Sequence, residues 1–168
     1  MSIAQLLLPE LDQETTKTRK TLDRLPDHEW NWKPHDKSPT LGWIGGHIAN
    51  LPEWGVMTLT HDSIDIAPVN SPGYTPVTPE HRRETLQLFA ANIAKFRAAL
   101  AATTDEQMQK PWTLLRGGKT VFTMTRYAVL RGMVLNHLIH HRAQVSVYLR
   151  LLNESVPAIY GPSADEQS

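Results

Sequence analysis

Apolar residues recur at helical spacing in four stretches of the chain, and each stretch leaves a polar face behind. The first runs from about Ser2 to Leu25, with Ile3, Leu7, Leu11, Thr15, Thr18, Leu22 and Leu25 on one stripe and charged residues opposite. Pro26 stops it. The second opens at Ser38-Pro39, which reads as an N-cap followed by Pro at the first helical position, and carries Leu41, Trp43, Ile44, His47, Ile48, Leu51 and Trp54. Gly45 and Gly46 weaken this helix or admit a closely approaching backbone, and Pro52 predicts a kink or an early end. The third opens at Thr78-Pro79-Glu80 and runs to about Ala102, with Leu86, Phe89, Ile93, Phe96 and Leu100 on its stripe. The fourth starts between Thr123 and Thr125 and reaches about Leu152 through Leu130, Val134, His137, His141, Val145 and Tyr148.

Between these stretches the pattern changes. Residues 61 to 77 are rich in Pro, Gly, Ser and Asp and read as a long crossover loop. Trp112 to Leu115, then Arg116-Gly117-Gly118, then Lys119 to Thr123 read as a small hairpin. The tail after Asn153 reads as loop or frayed chain. The expectation is an all-α fold: a four-helix bundle with a long crossover between helices 2 and 3 and a small hairpin before helix 4. It is one domain over residues 1 to 168, with a core from about 2 to 152 and a tail from 153 to 168.

Composition narrows the function. The 17 Lys and Arg balance the 17 Asp and Glu, which argues against a dedicated nucleic-acid surface. No cysteine is present, so disulfides and thiolate metal sites are excluded and a metal must be held by His or carboxylate. The N-terminal residues lack a basic leader and a cleavage site, and no stretch approaches the ~20 apolar residues of a spanning helix. A cytoplasmic protein with no membrane partner is the expectation.

The candidate chemistry lies in the histidines. His137 and His141 are one helical turn apart, so their imidazoles leave one face of a helix and can close on a single ion. Eight His in 168 residues give roughly 0.4 such pairs by chance, so spacing alone decides little. Placement adds weight: the pair sits on a core stripe, where bare imidazoles are costly, and His47 lies on the stripe of another helix. Three neutral imidazoles with one open position would make a hydrolytic or transfer-type centre. The alternative is a set of interior histidines that hydrogen-bond to one another. His140 falls at the edge of the arc of His137, His141 and Gln144 and reads as a supporting or surface group. His28, His35, His61 and His81 read as solvated. No Glu follows the first His of the pair as in zinc proteases, and the Glu-x-x-His pairs of di-iron bundles are absent. Asn50, Trp54, Gln144, Asn136 and Arg142 are candidates to assist, Asn50 and Gln144 foremost. Each has a plainer reading: core packing for Trp54, a satisfied interior amide for Gln144, a solvated or dimer-facing charge for Arg142. Tyr148 reads as packing.

Two motifs carry a resemblance. Leu41-Gly42-Trp43-Ile44-Gly45-Gly46-His47-Ile48-Ala49 resembles the second-helix histidine motif of the DinB-like (YfiT-like) metal-dependent enzyme family. Asn136-His137-Leu138-Ile139-His140-His141-Arg142-Ala143-Gln144 closely resembles its last-helix motif, and Trp30-Asn31-Trp32-Lys33-Pro34 fits its loop before the second helix. The likeness spans residues 1 to about 152. It implies a four-helix bundle, a homodimer, and one divalent metal ion (zinc, nickel or iron) on His47, His137 and His141. It implies chemistry on a small-molecule substrate, such as transfer of a low-molecular-weight thiol like bacillithiol or mycothiol, isomerisation with such a thiol, or hydrolysis. The rival reading is a non-catalytic, stress-related bundle that binds a metal or ligand. Loop residues around Trp30, Trp32, Tyr74 and Trp112 are expected to line a pocket, and Pro52 departs from a smooth second helix.

Overall fold

A computed structural model describes residues 1–167. The chain is mostly helical, with a small sheet. Helix α1 is Ile3–Leu22, α2 is Leu41–Thr60, α3 is Arg82–Ala101, α4 is Asp105–Gln109, α5 is Arg126–Val129 and α6 is His137–Leu151. A π-helical stretch, Leu130–Asn136, joins α5 to α6. Strands β1 (Ser63–Asp65), β2 (Pro111–Arg116) and β3 (Lys119–Thr125) form one sheet in that order.

The core is the meeting of the apolar stripes. α2 packs along α3 and against α6, and α1 packs against α3 and α6. Leu7, Leu11 and Leu22 of α1, Ile44, Ile48 and Leu51 of α2, Phe89, Phe96 and Leu100 of α3, and Leu138, Val145 and Leu149 of α6 are buried together. Each such side chain contributes about 1.5–3 kcal/mol by leaving water.

The helix ends fall differently from the sequence reading. α1 closes at Leu22, and Leu25 is still buried beyond it. α2 is capped by Thr40, not Ser38: the Thr40 hydroxyl accepts from the Trp43 amide. α3 is capped by His81, not Thr78, with the imidazole accepting from the Glu84 amide. His81 therefore has a structural duty that a solvated reading misses. Pro79 instead lies against Gly46, and its carbonyl accepts from the Trp30 indole.

Pro52 does not end α2, which runs on to Thr60. The single bond that proline removes is outweighed because both sides of the break are buried, at Leu51 and Pro52 before it and Gly55 after it. Gly45, Gly46 and Gly55 serve close packing with side chains rather than backbone. A Cβ on Gly55 would lie 2.5 Å from the Phe96 ring, so the α2–α3 contact needs glycine there.

The all-α expectation is corrected by β1. It lies inside the stretch read as loop and pairs in parallel with β2, through Ser63 with Thr113 and Asp65 with Leu115. The hairpin of β2 and β3 is present and antiparallel, with Trp112 opposite Met124 and Leu114 opposite Phe122. Gly117 and Gly118 both take positive φ, 59° and 75°, as a two-residue hairpin turn of the primed type requires. The Asp65 carboxylate accepts from both of their amides and ties β1 to the turn. The tail after Asn153 is irregular but pinned, with Asp165 paired to Arg150 and Glu166 to Arg24. Among the described residues no helix is long and apolar enough to cross a membrane.

Candidate metal centre

His47 projects from the middle of α2, where Gly42, Gly45 and Gly46 let Trp30, Leu25 and Pro79 close over the helix. His137 and His141 open α6, immediately after the π-helical stretch. A π turn adds a residue per turn and re-aims the helix beyond it, and such turns recur at functional sites. The ring nitrogens meet: His141 Nε2 lies 2.8 Å from His137 Nε2, and His137 Nε2 lies 3.4 Å from His47 Nε2. The three residues form a group, each partly buried, whose ligand atoms all lie within 4.8 Å of one another and could hold a metal ion.

The far side of two rings is fixed. His141 Nδ1 donates to Gln144 Oε1 at 2.7 Å, and His137 Nδ1 donates to the Met133 carbonyl at 3.3 Å. With both Nδ1 atoms protonated, each Nε2 presents a lone pair toward the other. Two lone pairs 2.8 Å apart repel unless a cation sits among them. Two nitrogens on one tetrahedral zinc at ~2.0–2.1 Å would stand about 3.3 Å apart. The His47–His137 separation already matches that, and His137–His141 would open by about half an ångström.

Electrostatics favour neutral rings. Burial, then the charges of His141 and His137, push His47 down to about 4. Burial also lowers His137 and His141, against the opposing bonds to Met133 and Gln144. Neutral imidazole is the form that ligates.

The other sequence candidates fall in distinct places. His140 is exposed, packs on the His141 ring at 5.0 Å, and stays outside the group. Gln144 touches His141 directly. Asn50 does not reach the histidines: its amide donates to the Gly46 and Val77 carbonyls and accepts from the Val77 amide, pinning the crossover to α2. Tyr148 packs edge-on to Trp32 and donates to the Pro39 carbonyl. Arg142 is not solvated. It is 2 % exposed and sits 2.7 Å from Glu14, itself 4 % exposed, with Thr18 and Tyr160 completing the cluster.

Sequence reasoning missed Trp43 as a site residue. Counted on the apolar stripe, it is about half exposed, and its ring stacks on His47 at 4.8 Å and 11°. Its position one turn before His47 was the available signal. It also missed most of a cavity of about 140 Å³ that opens beside His47 and His137. Leu51, Trp54, Val129, Met133 and Val134 form its helical walls, and Trp112, Leu114 and Phe122 its sheet wall. Of the expected loop residues only Trp112 lines it. Trp30 lies against Gly42, and Tyr74 packs on Trp54 and reaches Glu53.

The DinB superfamily matches the chain over residues 10–145, a span that contains all three histidines. No curated protein matches it. Several solved structures share its fold. A DinB-like protein from Bacillus cereus ATCC 10987 is 22% identical, covering 91% of this chain and 95% of that one, with a TM-score of 0.65. A DinB-like protein from Bacillus subtilis is 16% identical over 92% and 97%, at 0.68. A conserved protein from Enterococcus faecalis is 19% identical over 90% and 97%, at 0.65.

Proposed function

Because the chain belongs to the DinB superfamily, we propose that it is a metal-dependent enzyme whose single divalent ion is held by Nε2 of His47, His137 and His141. The observation that carries this is the convergence of the three Nε2 atoms with the Nδ1 atoms of His137 and His141 engaged elsewhere. A hydrogen-bonded trio would need one ring to give up its Nδ1 donor, and both of those donors are matched to carbonyl oxygens. Three neutral ligands leave the ion its full charge, and when bound it would activate water or hold a thiol as thiolate.

The chain's own residues supply the rest. Gln144 and Met133 hold the rings in the ligating tautomer. Trp43 covers the outer face of His47. The cavity between the helices and the sheet receives the substrate and keeps bulk water from it. Its apolar walls favour a small uncharged molecule over a nucleotide or a peptide. A closed site with a fourth protein ligand would favour the structural or ligand-binding alternative, but among the described residues the metal-competent group has three members.

Zinc, nickel or iron all suit three imidazoles, and availability would choose among them. Transfer of a low-molecular-weight thiol is the reaction we favour, with hydrolysis second. We place the protein in the cytoplasm as a homodimer of one-domain, four-helix-bundle subunits. Exposed Val147 and Leu151, one turn apart on α6, support a self-contact. Metal-loaded protein incubated with bacillithiol, mycothiol or cysteine and an electrophilic aryl halide tests the reaction. Thioether formation that disappears in His137→Ala supports transfer; turnover of ester or amide substrates alone would reassign the protein to hydrolysis.

A further inference from the structure

The cavity beside His47 and His137 has a build that metal binding does not explain. Folded interiors hold few voids larger than a water molecule, yet this one measures about 140 Å³. Four of its lining side chains, Leu51, Trp112, Val129 and Val134, are at most 2 % exposed. Apart from the two histidines, no lining residue carries a charge, a hydroxyl or an amide in its side chain. Water in such a space finds too few polar partners, whereas an apolar occupant needs none. Met133 differs from the buried walls. It lines the cavity and is still 42 % exposed, so it stands at the edge between cavity and solvent. Its carbonyl accepts from His137 Nδ1, so one residue both borders the cavity and orients a ring of the metal centre.

We propose that this cavity is the specificity pocket of the histidine centre, taking one uncharged aromatic ring or a branched alkyl group of like size, with Met133 setting the upper limit. Size argues for it. A cavity of about 140 Å³ is close to the ~150 Å³ engineered cavity that takes benzene, and a fused second ring exceeds it. Lining argues for it too, since a carboxylate or ammonium there would lose its hydration without an ionic partner. A ring seated in the cavity lies against His47 and His137, which line the same space. The Met133 side chain is unbranched, adaptable and in contact with solvent, so shortening it lengthens the cavity without opening the core. The inference deepens the proposed function by naming the group that the substrate carries, and it rests on that reading only for what happens at the histidines.

Fluorobenzene, para-fluorobenzoate and fluoronaphthalene vary charge and size around one ring. Their binding is titrated by fluorine NMR, on the protein as purified and again after chelation of metal. The Met133 methyl resonance, assigned by its loss in Met133→Leu, is followed alongside. Fluorobenzene should saturate one site per chain and move that methyl by its ring current. In the chelated protein, where no ion can hold a carboxylate, para-fluorobenzoate and fluoronaphthalene should each bind at least about tenfold more weakly. Met133→Ala should narrow the gap for fluoronaphthalene and leave that for para-fluorobenzoate unchanged. Should Met133→Ala fail to fold, the wild-type affinities and methyl shift decide. No saturation by fluorobenzene, an unmoved Met133 methyl, equal affinity for the charged ring, or size discrimination that survives Met133→Ala would overturn the proposal. Binding to the chelated protein tests the pocket and metal uptake tests the centre, so the two readings fail separately.

Discussion

Gln144 Oε1 accepts the Nδ1–H of His141 at 2.7 Å, and this one bond decides which nitrogen of His141 faces His137 and His47. A glutamine one turn along the same helix sets the tautomer without adding charge. Gln144→Leu should therefore lower metal affinity about 10- to 100-fold while leaving the fold intact. Competition against a chromophoric chelator measures it, with circular dichroism as the control for folding. Unchanged affinity would mean that His141 needs no such partner.

The Glu14–Arg142 pair joins α1 to α6 one residue from His141. Replacing Arg142 by Leu strands a buried carboxylate, so a loss of about 3–5 kcal/mol in unfolding free energy is expected. Denaturant titration reads it. Glu14→Gln should cost less, because the amide still accepts from the Tyr160 hydroxyl.

The same pair gives a pH dependence. Burial opposes ionisation of Glu14, but the Tyr160 hydroxyl and the Arg142 guanidinium outweigh it and hold the carboxyl below its ordinary 4.5. A depressed folded pKa means that the stabilisation is complete above 4.5 and is lost as pH falls through the folded value. Thermal melts of the wild type should fall off below that pH more steeply than those of Glu14→Gln. Parallel curves would show that Glu14 is not ionised in the folded chain.

Gly55 lets α2 lie directly on Phe96 of α3. The extra methyl of Gly55→Ala would fall 2.5–2.7 Å from three atoms of that ring, and a destabilisation of about 1–3 kcal/mol is expected despite alanine's better helix propensity. A melting temperature at or above that of the wild type would contradict this packing.

How much of this could be read from the residues alone depended on the range of the interactions. The long helices and the hairpin were legible because their signals are local: apolar spacing, and Gly117-Gly118 between two short β-rich runs. His47, His137 and His141 were legible as a candidate group because imidazoles on buried stripes are costly without partners. Strand β1 was not, since Ser63-Ile64-Asp65 has no pattern of its own and is held by β2 and by the glycine amides 52 and 53 residues further on. Arg142 was misread for the same reason, its partner lying on α1. Glu14 did carry a sign, falling between Leu11 and Thr18 at buried-stripe spacing. The π-helical stretch, which contains Met133 and ends just before His137, has no such mark. The early end read from Pro52 did not follow, because one missing bond is small against the packing on either side of it.

The most direct measurement of the central claim is metal content. Protein purified without a histidine tag, stripped by chelator and titrated with a divalent ion, should take up one equivalent per chain. His47→Ala, His137→Ala and His141→Ala should each abolish tight uptake, whereas His140→Ala should not. A wild-type chain that takes up no stoichiometric metal, or a His137→Ala chain that keeps it, would contradict the three-histidine centre.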